Sequence, residues 1–383
     1  MSSIIPLSAP CINGNEWRYI KECLDTEWVS TAGKYVNLFE QMIAKYTGSN
    51  YAVACVNGTS ALQISLQLAG VKSDDEVIVP TLTFIAPVNA IIYNNASPIF
   101  MDADKYFNLD ADKTIQFILN ETVFINGSTY NKITQKRISA IIPVHVWGNA
   151  CDLDLLVNVC NERNISIVED ASESLGTFYT QGKYCGKHTG TIGAFGCISF
   201  NGNKIITCGG GGVILTDDRK MANKARYLTT QAKDDPVKYI HNEVGYNFRL
   251  TNIQAALGVA QLEQLPKYLE KKRENHKQYV FYFKTIDGLS IAKTPEYSNN
   301  NYWLNILQID NDKNEIDSLM CVLEKNGIQT RPIWHLNHLQ KPFEQFQSYQ
   351  IDNARLLVDR SLCIPSSISL TINDIKKITS YLL

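Results

Sequence analysis

This sequence has no apolar run of bilayer length, no surplus of either charge and no cysteines at Cys-x-x-Cys spacing. Each absence removes a class of protein. Without a run of about 20 apolar residues there is no candidate membrane span. Thirty-six Lys and Arg face 38 Asp and Glu, a formal net charge of -2. That balance gives no electrostatic footprint for nucleic acid or an anionic membrane, and neither is expected as a partner. The start, Met1-Ser2-Ser3-Ile4-Ile5-Pro6, lacks the basic end and apolar core of a secretory signal, so the expected compartment is the cytoplasm. The ten cysteines are scattered, mostly in apolar contexts such as those of Cys55 and Cys197. Buried single thiols suit a reducing compartment better than a disulfide framework or a zinc site. Of six histidines only His335 and His338 are close in sequence. No cysteine pair or acidic cluster accompanies them, and no metal is expected. Neither a P-loop nor a Gly-x-Gly-x-x-Gly fingerprint occurs, which counts against a nicotinamide-dependent oxidoreductase.

What is present is an ordinary globular composition, 45% hydrophobic and 19% charged over 383 residues, enough for two domains or one large one. Strand-like runs alternate with helical patterns over the first two thirds. Tyr51 to Val56 reads as a strand. Thr59-Ser60 then offers a helix cap, Leu62, Leu66 and Ala69 recur at helical spacing, and Gly70 stops the helix. Further strands are predicted at Glu76 to Val79, Pro98 to Met101, Ile138 to Val146, Ile165 to Val168, Ala194 to Phe200 and Val213 to Leu215. This alternation predicts a mostly parallel sheet covered by helices. Near Gln264-Leu265-Pro266 the character changes. The expected division is a large domain over residues 1–264 and a smaller α/β domain over 265–383, with the first thirty residues against the smaller one. Glu296 to Asn301 reads as a loop.

Five places carry chemistry. Lys204 lies in Ser199-Phe200-Asn201-Gly202-Asn203-Lys204, where an apolar strand runs into a polar bend, and Gly209 to Gly212 follow. An amine at the end of a buried strand, five residues after a hydroxyl, suits a Schiff-base lysine with a phosphate-binding serine; the plain alternative is a surface lysine in a glycine-rich hairpin. Asn57-Gly58-Thr59-Ser60 sits at a strand-to-helix junction able to hold an anion, or only to cap a helix. Glu169, Asp170 and Glu173 close a very apolar strand, where a buried carboxylate needs a cation or forms a structural ion pair. Phe84 follows another strand end and is able to stack on a flat ring or pack in the core. His145, in Pro143-Val144-His145-Val146-Trp147-Gly148, reads as an acid/base group or a satisfied core histidine.

In order and composition these segments resemble the DegT-type nucleotide-sugar aminotransferases. The likeness runs from Leu7-Ser8-Ala9-Pro10 through Asn57-Gly58-Thr59-Ser60-Ala61-Leu62, Pro143-Val144-His145, Glu169-Asp170-Ala171 and Ser199-Phe200-x-x-x-Lys204. It continues through Gly245-Tyr246-Asn247-Phe248-Arg249-Leu250-Thr251-Asn252 and Gln254-Ala255-Ala256 to Arg331-Pro332. The resemblance implies pyridoxal 5'-phosphate as cofactor and the fold type I, aspartate-aminotransferase-like architecture. It implies Lys204 as the Schiff-base lysine and Asp170 as partner of the pyridinium nitrogen. It further implies Gly58, Thr59 and Ser199 as phosphate ligands, Phe84 as the stacking aromatic and Asn247 as a group reaching the phosphate across a homodimer interface. Arg249 is implied to hold the donor's carboxylate, and His145 falls among the substrate-side residues.

Two positions depart from the family pattern. Glu173 stands where many members have glutamine near the cofactor 3-hydroxyl, and Gly210 where many have glutamate. Details such as Thr229-Thr230-Gln231-Ala232-Lys233-Asp234-Asp235 are most similar to the LegC-like branch. That branch implies transfer of the amino group of L-glutamate to C4 of a nucleotide-linked 4-keto-6-deoxy-N-acetylhexosamine. The product would serve legionaminic acid or a related amino sugar of lipopolysaccharide or capsule. Competing readings are a sugar dehydratase, which the presence of Lys204 disfavours, and a non-catalytic regulator on the same fold.

Overall fold

The computed structural model describes residues 4–235, 237–310 and 313–382. Among these residues a ten-stranded sheet forms the centre. Its strands lie in the order Tyr51–Cys55, Gly212–Thr216, Phe195–Ser199, Ser166–Asp170, Arg137–Ile141, Glu76–Pro80, Ser97–Met101 and Ser348–Tyr349. A hairpin of Thr122–Ile125 and Ser128–Asn131 joins beside Arg137–Ile141. From Phe195–Ser199 to Ser348–Tyr349 all neighbours in this order are parallel, and the first two strands run antiparallel to theirs. The sheet is thus mostly parallel. Its central strands are mostly apolar, Glu76–Pro80 being buried throughout, as a sheet covered on both faces requires.

Three local expectations need correction. The helix Gly58–Leu68 is capped by Asn57, whose Oδ1 accepts the Ser60 amide at 2.7 Å, and not by Thr59-Ser60. The strand expected over Ile138 to Val146 ends at Ile141. Pro143 has no amide to give the ladder, Val144 keeps one isolated bridge to Asp170, and Val146–Gly148 forms a 3-10 turn. In the polar segment Glu296 to Asn301, Ser298–Asn299 pairs with Phe178–Tyr179.

A second, four-stranded antiparallel sheet orders Leu289–Ile291, Asn305–Ile309, Ser361–Ile364 and Arg331–Pro332. Ile5, Leu307, Leu362 and Ile375 form its separate apolar core with Tyr279 and Phe283. Those last two come from the helix Asn252–Phe283, which starts at a Thr251–Gln254 capping box and runs through residues 264 and 265. Its first turns put Ala255, Ala256 and Val259 into the larger core. One helix therefore carries both cores. No helix among the described residues is long and apolar enough to cross a membrane.

The glycine run closes the framework. A Cβ on Gly212 would lie 2.4 Å from the Asn57 carbonyl oxygen and 2.7 Å from the Gly58 amide nitrogen. Only glycine lets this strand reach the start of the Gly58–Leu68 helix.

Candidate active site

Several strands end at one edge of the sheet, and the sequence-predicted residues sit on those ends. Asp170 terminates Ser166–Asp170, Ser199 terminates Phe195–Ser199, Phe84 follows Glu76–Pro80, and Gly58 opens the helix after Tyr51–Cys55. This is the carboxyl edge at which open α/β sheets take ligands. Here a cavity of about 360 Å³ is lined by Gly58, Thr59, Phe84, Asp170, Glu173, Ser199 and Lys204. Seven of the ten residues singled out in the sequence meet at this cavity.

The Lys204 amine lies 3.4 Å from Glu173 Oε1 and 4.0 Å from the centroid of the Trp303 ring. Glu173 is buried, and its Oε2 accepts the Trp147 amide at 2.8 Å. Burial pushes the Glu173 carboxyl up to about 7, against the opposing pull of the Lys204 charge. Near neutral pH a proton is therefore available at this acid, beside the amine. Asp170 is also buried, and the Ser172 amide donates to its Oδ1 at 3.0 Å. Burial raises the Asp170 pKa, with Ser172 and Lys204 opposing. A carboxylate held in this way is stabilised by a cationic ligand.

The opposite requirement is met at the helix start. Asn57 takes the Ser60 amide, while the Thr59 amide has no intrahelical acceptor. The Thr59 and Ser199 hydroxyls line the cavity, and neither has a hydrogen-bond partner among the described residues. A Cβ on Gly58 would come within 2.9 Å of Ser199 Cβ and 3.2 Å of Ser172 Oγ, so the missing side chain leaves a cradle. An anion seat, an amine and an under-compensated carboxylate in one cavity form the donor set that suits pyridoxal phosphate. Phe84 is 55% exposed on the rim, its ring centroid 6.3 Å from that of Trp334.

Three predicted residues do not line this cavity within one chain. His145 is fully buried. Its Nδ1 accepts the Cys151 amide at 3.1 Å, and its Nε2 is 2.9 Å from Glu169 Oε2. Burial alone would raise the Glu169 carboxyl, but His145 and the amides of Gly193 and Gly190 outweigh it and hold its pKa below the usual value. Arg249 is bound to Glu40. Asn247 is exposed, on a segment bridged to Thr230. Among the cavity residues that sequence reasoning missed are two tryptophans, Trp303 and Trp334. Both lie more than 90 residues after Lys204, outside any strand-end pattern, and only the folded chain brings them to it.

The sequence matches the family described as DegT/DnrJ/EryC1/StrS aminotransferases over residues 10–383. It is 36% identical over 369 residues to a GDP-perosamine synthase of Escherichia coli O157:H7, covering 96% of this chain and 94% of the relative. Identity to a GDP-perosamine synthase of Caulobacter vibrioides is 34% over 384 residues, covering 99% and 97%. The crystal structure of DesI in the presence of its TDP-sugar product superposes with a TM-score of 0.86 at 26% identity, covering 100% of this chain and 92% of DesI.

Proposed function

The chain belongs to the DegT/DnrJ/EryC1/StrS aminotransferase family, as a pyridoxal phosphate-dependent nucleotide-sugar aminotransferase. From that premise we propose that it moves the amino group of L-glutamate to C4 of a nucleotide-linked 4-keto-6-deoxy-N-acetylhexosamine. The observation that carries this reading is the cavity itself, which brings the Lys204 amine together with the buried Asp170 and Glu173 carboxyls and with Gly58, Thr59 and Ser199. Support for the sugar comes from segments similar to the LegC-like branch, Ser199 to Lys204 and Val168 to Thr177.

Bound pyridoxal phosphate supplies a ring that draws electrons from the carbon bearing the amino group. In this proposal the chain's own residues do the rest. Gly58, Thr59 and Ser199 bind the phosphate, and Phe84 covers the ring. Asp170 holds a proton on the ring nitrogen. Lys204 would hold the cofactor covalently, and, once the amino group of the donor had taken its place there, the Lys204 amine would carry a proton between the reacting carbons. Glu173 gives and receives a proton at Oε1. Arg249 is assigned to the donor's carboxylate, with Glu40 yielding part of its hold. His145 is assigned to fixing Glu169 behind Asp170.

We propose a homodimer in which Asn247 completes the site of the other copy. Val237, Tyr239 and Val244 are exposed apolar residues on the same segment, and a second copy of the chain would cover them. A division into a cofactor-binding part at 1–264 and a smaller part at 265–383 belongs to the same proposal. The separate core of the small sheet supports it, while the long helix and the strand Ser348–Tyr349 tie the two parts together.

The test is an assay of L-glutamate with nucleotide-linked 4-keto sugars carried on UDP, GDP or dTDP, with and without an N-acetyl group, products being identified by mass spectrometry and NMR. A C4-amino, N-acetylated product is expected. Turnover restricted to sugars without the N-acetyl group would overturn the substrate assignment. Borohydride reduction of the holoenzyme followed by peptide mapping should find the cofactor on Lys204 and on no other lysine.

A further inference from the structure

Lys272 lies on the long helix Asn252–Phe283 and is only 2% exposed. Its Nζ donates to two backbone carbonyls, that of Trp303 at 2.8 Å and that of Ser366. Among the described residues no carboxylate pairs with it, and burial pushes its pKa down to about 7. An amine buried without a counter-charge costs stability compared with an apolar residue of like size. What this amine holds is therefore informative.

One residue separates it from the cofactor lysine. The Trp303 carbonyl receives Lys272, and the Trp303 ring lies 4.0 Å from the Lys204 amine. Trp303 Nε1 also donates at 2.6 Å to the carbonyl of Asn203, the residue before Lys204. On the other side, Asn301 Oδ1 accepts the Trp303 amide, and Asn301 Nδ2 donates to the carbonyls of Glu173 and Leu175. Trp303 is thus held from the sheet side by Asn301 and from the helix side by Lys272. Two turns further on, Tyr279 donates to the Pro365 carbonyl at 2.8 Å. Tyr279 grips the same 365–366 loop and, among the described residues, makes no hydrogen bond to Trp303, which makes it a matched structural control.

We propose that Lys272 is a positioning residue that fixes the Trp303 indole as a cover over the Lys204 amine. The proposal rests on Lys204 being the cofactor lysine, which borohydride mapping of the wild-type holoenzyme tests by itself. A cofactor found on another lysine would sink that assignment while leaving the comparison below intact.

The experiment labels the cofactor-free enzyme with acetic anhydride at fixed pH and follows Lys204 by quantitative mass spectrometry. The exposed Lys220 serves as internal reference. Trp303→Leu and Lys272→Met should each label Lys204 several-fold faster, and the double variant no faster than Trp303→Leu alone. Tyr279→Phe should lower the melting temperature yet leave Lys204 labelling as in the wild type. In the holoenzyme, Lys272→Met should also weaken the visible circular dichroism of the bound cofactor. If Lys272→Met does not fold, Lys272→Leu, which likewise has no donor for the Trp303 carbonyl, carries the same comparison. Wild-type labelling in the Lys272 variant, equal acceleration by Tyr279→Phe, additive effects of the Lys272 and Trp303 changes, or no acceleration by Trp303→Leu would each overturn the proposal.

Discussion

The side chains at the cavity floor make opposing electrostatic demands. Asp170 and Glu173 are both buried and both pushed up, yet only Glu173 has the Lys204 amine within 3.4 Å. Asp170→Asn keeps the shape and removes the charge proposed to hold a proton on the ring nitrogen. Steady-state assays should show turnover reduced by roughly 100-fold or more, the usual cost of a lost preorganised charge. A near wild-type rate would leave Asp170 a structural carboxylate. For Glu173 the prediction concerns pH. Its folded-state pKa is raised from 4.5 to about 7, so its stabilising contribution is complete below pH 4.5 and lost as pH rises through about 7. Cofactor-free wild type should therefore melt progressively lower than Glu173→Gln between pH 5 and pH 8. The difference should reach on the order of 3 kcal/mol at most. Parallel melting curves over that range would show that the carboxyl ionises freely in the folded chain.

At the scale of the elements, the start of the Gly58–Leu68 helix decides whether an anion fits. Gly58→Ala puts a methyl group 2.9 Å from Ser199 Cβ, into the cradle proposed for the phosphate. Cofactor titration should show affinity weakened about tenfold or more, the worth of one displaced hydrogen-bonding group. The melting temperature of the cofactor-free protein should barely move, because alanine favours the helix as much as the crowding opposes it. Unchanged affinity would place the phosphate elsewhere. This junction also illustrates what the sequence could tell. The strand at Tyr51–Cys55, the helix after it and the carboxylates at the end of Ser166–Asp170 were legible, because apolar runs and polar ends follow from local periodicity. The cap was misread by two residues, since Asn57, Thr59 and Ser60 are all competent caps and only the folded backbone selects one. The strand before His145 was read too long, because its apolar character continues past the proline that ends its pairing. Trp303, Trp334 and the Lys272 contact were not legible at all. Their positions depend on how the 300–340 region returns to the sheet edge, and no short-range pattern encodes that return.

At the scale of the whole molecule, a single chain leaves its cavity open on one side. Phe84 is 55% exposed, the Thr59 and Ser199 hydroxyls are unpaired among the described residues, and Asn247 lies on an exposed segment away from the cavity lining. If Asn247 serves the site of a second copy, the two essential groups of each site belong to different chains. That arrangement has a consequence for mixtures. Lys204→Ala and Asn247→Ala should each be inactive as homodimers. A mixed dimer holds one site with both lesions and one with neither. After subunit exchange of equal amounts, half the dimers are mixed and each has one working site, so roughly a quarter of wild-type activity should return. Exchange is verified separately by native mass spectrometry of the two chains carrying different tags. If Asn247 acts within its own chain, every site of the mixed dimer carries one lesion and nothing returns. Zero recovery with proven exchange and two inactive parents would therefore exclude the shared site, even with the dimer itself intact.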